Sequence, residues 1–130
     1  MQNPENNYVI EQLDEIPAVK CPCGLSSRAF LTKENSAASM HIVQISKDAK
    51  THYHKKLTEM YLVLEGIGHI ELDGKLVAVK PWTAIQIKPL CRHRAIGNLR
   101  VLVVVIPAFD PQDEWFDDTR NPSEPNNVTL

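Results

Sequence analysis

The sequence predicts an all-β domain, a sandwich or a barrel, and three observations carry that reading. Six short runs rich in β-branched, aromatic or large apolar residues follow one another between residues 40 and 106. Each run is bounded by Gly, Pro, Asp or Lys. No convincing helical period interrupts them before the C-terminal stretch. Short strands at such spacing argue for packed sheets or a closed barrel.

The 130 residues suffice for one domain with a core that needs no disulfides. We expect that domain over residues 8–118, between flexible ends at 1–7 and 119–130 that are polar and, in the C-terminal case, proline-rich. A sequon at Asn127-Val128-Thr129 would matter only in a secreted protein. The strand candidates begin with residues 40–46. In the next, 59–64, Glu59, Tyr61 and Val63 share a face. Runs 67–72 and 75–79 form a hairpin around Asp73-Gly74, a pair that tolerates the positive φ of a type I′ turn. That register pairs Leu72 with Lys75, Glu71 with Leu76 and Ile70 with Val77. Ile70, Leu72 and Val77 then point inward, and His69 and Glu71 lie on the other face. Run 83–87 follows, and His93 opens a further strand after a Lys88-Pro89-Leu90 turn. The last run, 100–106, barely alternates, so both its faces should be covered, by the opposite sheet or by a second subunit. Beyond Pro107, Phe109, Trp115 and Phe116 are interleaved with acids, as in a short closing turn or helix that packs over a barrel mouth or onto a partner chain.

Composition narrows the function classes. Apolar residues at 43% and charged residues at 23% are ordinary for a globular protein. A net charge of −2 gives no reason to expect nucleic acid or an anionic membrane as partner. No apolar run approaches the length of a membrane-spanning helix, and the N-terminus has neither the basic start nor the apolar stretch of a signal peptide. Three cysteines without an export signal point to a reducing cytoplasm. Cys21-Pro22-Cys23 is expected to be structural or incidental, because cysteines one residue apart rarely bridge without strain. A redox or second-metal role is its alternative.

One stretch carries chemistry. Residues 51–66 read THYHKKLTEMYLVLEG. On an extended segment, positions i and i+2 point the same way, so His52 and His54 present two imidazoles on one face. Residues 55–58 can turn the chain so that Glu59 comes beside them, and His93 is the candidate for a fourth ligand. Lone histidines are usually surface residues, and His41 and His69 are expected to be such. Composition alone leaves chance and a metal site evenly matched.

The spacing His52-x-His54-x4-Glu59-x6-Gly66 resembles the first motif of the cupin superfamily at each metal-binding position. The second cupin motif is visible in Gly74, Pro81, Ile87-Lys88-Pro89, His93 and Asn98. The resemblance covers about residues 40–106. It implies a small double-stranded β-helix, the jelly-roll barrel of cupins, with a short C-terminal closing segment. It also implies that His52, His54, Glu59 and His93 hold one divalent transition metal. Fe, Mn, Ni, Co, Cu and Zn all suit mixed imidazole and carboxylate ligation, and affinity alone does not choose among them. Departures from the family pattern are local. Ser46 stands where the family has glycine, Pro81-Trp82-Thr83 replaces Pro-x-Gly, and Pro89-Leu90 replaces Pro-Gly. These bear on turn shape and leave the ligands in place. The interval from His93 to Asn98 is one residue longer than usual. More locally, Cys21-Pro22-Cys23-Gly24, Arg28 and residues 107–117 are similar to small single-domain bacterial cupins of the conserved-barrel type, a likeness that implies no substrate.

Four protein ligands leave an octahedral ion with up to two open positions for substrate or O2. The resemblance therefore implies a metal-dependent dioxygenase, isomerase or lyase acting on a small polar organic molecule. A non-catalytic metal-containing binding or sensor module is the other class. Tyr61, on the face of Glu59, is the candidate catalytic residue as a donor of a hydrogen bond or proton, with a core tyrosine as its alternative. Cys91 is expected to be a buried inert thiol. Gln44 and Gln86 either line the cavity or face solvent. Arg28 either holds a carboxylate at the rim or is a surface arginine. Polar side chains converging near the ion would favour an enzyme, and an apolar lining a binding module. A homodimer is expected from the apolar 100–106 strand and the aromatic tail.

Overall fold

Alternation along three central strands decides what faces inward. The computed structural model describes residues 6–117. The flexible ends expected at 1–7 and 119–130 therefore fall almost wholly outside the described residues, as does the sequon. The strands are β1 Val19–Cys21, β2 Gly24–Ala29, β3 Ser39–Ile45, β4 Thr58–Glu65, β5 Gly68–Leu72, β6 Lys75–Val79, β7 Ala84–Ile87, β8 His93–Ile96 and β9 Arg100–Ile106. They form a six-stranded sheet in the order β1-β2-β3-β9-β4-β7 and a three-stranded sheet in the order β6-β5-β8. All observed pairings are antiparallel. Among the described residues, the only helical turns are 3₁₀, at Leu13–Glu15 and Pro111–Asp113, and no helix is long and apolar enough to cross a membrane.

The registers of β3, β9, β4 and β7 set inward residues in rows across the larger sheet. One row reads Ser39, Val105, Glu59 and Ile87, and the next His41, Val103, Tyr61 and Ile85. A third aligns Val43, Val101 and Val63. Ile70, Val79 and Ala95 join this core from the smaller sheet. Val63, Ile70, Val101 and Val105 are completely covered, and each such side chain contributes about 1.5–3 kcal/mol over exposure. The interior is thus apolar at one end and polar at the other, where Glu59 lies.

The β5–β6 hairpin has the register that its sequence predicts, with Leu72 opposite Lys75 and Ile70 opposite Val77. Asp73 and Gly74 take φ of 49° and 83°, as a type I′ turn requires. Two other turns keep a glycine-like shape without glycine. Trp82 (φ 75°) and Leu90 (φ 77°) each follow a proline, and the turns close through Thr83 N–H to the Lys80 carbonyl and Cys91 N–H to the Lys88 carbonyl. Left-handed backbone costs an L-residue roughly 1–2 kcal/mol. At Gly66 (φ 93°) the need is absolute, since a Cβ there would overlap the carbonyl oxygen of Asn98. The closing glycine of the first motif therefore packs directly on the turn that ends the second.

Two expectations need correction. Strands β1 and β2 have no counterpart among the strands that the sequence marks out. Cys21 and Cys23 form a disulfide, contrary to the expectation that they would not bridge. The hairpin turn at Pro22-Cys23 folds the chain so tightly that Cys21 pairs with Gly24, and the two cysteine Cα atoms come within 5.2 Å. Strand β9 buries Val101, Val103 and Val105 in the barrel, while Leu102 and Val104 on its other face are only partly covered within this chain.

Candidate metal centre

His52 and His54 lie on an extended segment ahead of β4. Its antiparallel bridges join His52 to His93 and Tyr53 to Trp115. The segment is too short to be a strand, but strand parity still holds along it, and His52 and His54 share a face while Tyr53 takes the other. The His52–His93 bridge sets two imidazoles side by side, with ring centroids 4.3 Å apart. Glu59 reaches them from β4. The ligating atoms of His52, His54, Glu59 and His93 all lie within 4.8 Å of one another, and all four residues are buried. The cluster could hold a metal ion.

The hydrogen bonds around the imidazoles fix which nitrogen faces the cluster. His52 Nδ1 donates to the Lys50 carbonyl (2.9 Å), His54 Nδ1 to the Asp113 carbonyl (2.7 Å), and His93 Nδ1 to the Cys91 carbonyl (2.9 Å). A carbonyl only accepts, so each Nδ1 carries the proton, and a neutral ring turns its Nε2 lone pair inward. His93 Nε2 lies 3.0 Å from Glu59 Oε1, yet it is buried with no hydrogen bond. Two lone pairs facing each other need a cation between them. Three such nitrogens and a carboxylate are the donor chemistry that first-row divalent ions take, so the residues fit the ion that the motif implies.

A proton responds to the same field. Burial opposes charge on His54, but the hydrogen bond and attraction of Glu59 outweigh it and raise His54 to about 9. Burial, reinforced by His93, lowers His52 to about 3. Glu59 is well below the usual carboxylate range: burial opposes its charge, and the hydrogen bond from His54 together with the closeness of the His54 and His93 rings more than offsets that.

Asp113 holds the cluster from outside. Its carboxylate accepts from the backbone N–H groups of Lys55, Lys56 and Leu57 at 2.9 Å each, and from the Trp115 indole at 3.1 Å. Its own carbonyl orients His54. The C-terminal segment thus ties down the loop between His54 and Glu59, and sequence reasoning missed this residue. Its only signal was an acid within an aromatic-rich tail.

Above the cluster the cavity wall mixes polar and apolar side chains. A narrow space of about 20 Å³ is lined by Arg28, His41, Tyr61 and Glu114 beside His52 and Glu59, with Val43, Val103 and Phe109 on its apolar side. It adjoins an outer pocket of about 480 Å³, and Cys21, Arg28, Phe109 and Glu114 line both. Tyr61 lies where expected, one row from Glu59, its ring 6.1 Å from that of His93. Burial, then the charge of Glu59, hold its hydroxyl well above the ordinary pKa. Glu114, also unforeseen, has a carboxyl raised by burial. His41 corrects an expectation, for it is buried, not a surface residue. β3 alternation turns it inward, where its Nε2 meets Ser39 Oγ at 2.8 Å and its ring meets Phe109 edge-on. Burial, then Arg28, lower it to about 4. His69 is exposed as expected. Gln44 and Gln86 face solvent, and Gln44 bonds to Asn98 and to the Leu99 carbonyl. Cys91 is a free, partly buried thiol packed against the core.

Comparison with known proteins matches residues 39–106 to the cupin domain family. A crystal structure of a protein from Planctomyces limnophilus superposes with a TM-score of 0.78 at 42% identity, covering 84% of this chain and 96% of that one. Pac13, a nucleoside dehydratase, superposes with a TM-score of 0.70 at 18% identity, covering 83% of this chain and 89% of that one; the related structures of it are from Streptomyces. Ectoine synthase from P. lautus gives a TM-score of 0.67 at 22% identity, covering 91% and 99%. At such low identities these last two likenesses speak for the fold alone. An uncharacterized protein of Methanocaldococcus jannaschii is 33% identical over 76 residues, or 55% of this chain, which spans 61% of that relative's length.

Proposed function

The chain belongs to the cupin domain family, and on that premise we propose that it is a metal-dependent enzyme, an isomerase or lyase acting on a small polar organic substrate. One observation carries the reading: Tyr61, Glu114, Arg28 and His41 line the same cavity as the His52 and Glu59 donors. Polar groups turned into a cavity cost free energy unless a bound molecule meets them, and their convergence beside the donors supports catalysis over a purely apolar binding site. When bound, a divalent ion supplies Lewis acidity toward a substrate carbonyl or developing enediolate. His52, His54, His93 and Glu59 would hold it. The chain's own groups do the rest. Tyr61 keeps its proton at neutral pH and donates a hydrogen bond toward the reacting atoms. Glu114, raised by burial, is suited to take and return a proton. Phe109 and Phe116 line the approach and limit water. That fold neighbours include a nucleoside dehydratase and an ectoine synthase is consistent with catalysis in a barrel of this kind.

The test is solvent exchange. Metal-loaded protein is incubated in D2O with a panel of small sugars, hydroxy acids and oxo acids, and C–H signals are followed by proton NMR. The reading expects deuterium to enter at least one compound, and the rate to fall about 100-fold or more in Tyr61→Phe or Glu114→Gln. Oxygen uptake with a panel member, without such exchange, would replace it by a dioxygenase.

A further inference from the structure

We propose, resting on the metal-enzyme reading above, that Arg28 selects the substrate by holding the carboxylate of a small organic acid at the neck between the outer pocket and the four-donor cluster. Strands β2 and β3 pair Arg28 with His41, and directly paired side chains share a face. His41 is buried in the cavity wall, so Arg28 points into the barrel and not off its surface. The guanidinium carbon lies 4.4 Å from the Phe109 ring centroid. This cation–π contact holds the guanidinium over the ring and leaves its N–H edge for an acceptor.

Among the described residues that edge has no hydrogen-bond or ion-pair partner, and Nε is buried as well as unpaired. A buried donor calls for an acceptor, and the planar fork of arginine matches a carboxylate through two parallel hydrogen bonds. Glu114 lines the same neck, but it forms no ion pair with Arg28. The two groups attract each other across the neck without meeting, and burial outweighs that attraction and raises the Glu114 carboxyl.

Charge favours an anion over a neutral molecule. Lys20, Lys50 and Arg28 surround the outer pocket against Asp48 and Glu114. Three neutral imidazoles and one carboxylate would leave a divalent ion only half neutralised. Size places the anionic group as well. The inner space of about 20 Å³ takes little beyond an ion and a coordinating atom, while the outer pocket of about 480 Å³ admits a small acid. The carboxylate would then rest at the neck, where Arg28 lines both spaces.

The test uses a matched pair of probes, lactate and its neutral amide lactamide, titrated calorimetrically into Zn²⁺-loaded protein. Metal content is measured separately in every sample. Wild type is expected to bind lactate at least about tenfold more tightly than lactamide. Arg28→Gln should lose that preference while retaining its metal and its affinity for lactamide. Arg28→Lys, which keeps the charge without the planar fork, should fall between. Equal binding of the two probes by wild type, no lactate binding at all, or an unchanged preference in Arg28→Gln would each overturn the proposal. So would inorganic phosphate binding more tightly than lactate. In each of these cases normal metal content would leave the metal site standing, whereas wild type without metal would remove the reading on which the proposal rests.

Discussion

His41 shows what a single residue can hide. The sequence around it, Ser39 to Ile45, alternates between two sets that each mix apolar and polar residues, so polarity does not reveal which face is inward. Only the register with β9 and β2 places Ser39, His41, Val43 and Ile45 inside. His52, His54, Glu59 and His93 were legible because their spacing matches a motif and because two-residue parity works even on a short extended segment. Asp113 and Glu114 were not, since acids in a tail read as solvated charge until the tail folds back over the cluster. His41 also carries a pH prediction. Its folded pKa is about 4 and its unfolded one about 6.5. Between these values the unfolded chain binds the extra proton, so stability is present above pH 6.5 and is lost as pH falls toward 4. The group accounts for about 3 kcal/mol of that loss. Chemical denaturation across this window should give a shallower fall for His41→Gln than for wild type. Parallel curves would show that His41 is not held neutral by its surroundings.

At the scale of elements, strands with strong β-branched content were readable and their hairpin register followed from Asp73-Gly74. Strands β1 and β2 were not, because residues 19–29 carry little apolar alternation and gain their order by pairing with each other and, through β2, with β3. The two turns that lack glycine are each held by a backbone hydrogen bond, and Trp82 N–H donates to the Val63 carbonyl at 2.8 Å. Leu90 N–H donates to the His54 carbonyl at 2.7 Å, which ties its turn to the metal centre. Leu90 is more than half exposed, so its side chain adds little packing to offset left-handed backbone. Leu90→Gly should therefore raise stability by about 0.5–1 kcal/mol, the relief of strain less the greater entropy of unfolded glycine. Thermal melts would check this, and a lower melting temperature would show that the leucine side chain contributes more than its backbone costs.

For the whole molecule, the outward face of the larger sheet presents a continuous apolar band. Ile42, Leu102 and Leu62 align across three strands, as do Met40, Val104 and Met60. Among the described residues no second sheet packs on that face, and the weak alternation of β9 in the sequence reflects this. The account predicts a homodimer through this band. Sedimentation at micromolar concentration should give a dimer for wild type and a monomer for Val104→Glu, while a monomeric wild type would contradict it. The central claim is that three imidazoles and a carboxylate are gathered to bind one ion. Its most direct test is elemental analysis of protein purified without a metal-binding tag. Wild type should carry about one first-row transition metal per chain, and His52→Ala/His54→Ala, still showing the β-sheet circular dichroism of wild type, should carry none. Equal metal in the two proteins would contradict the account.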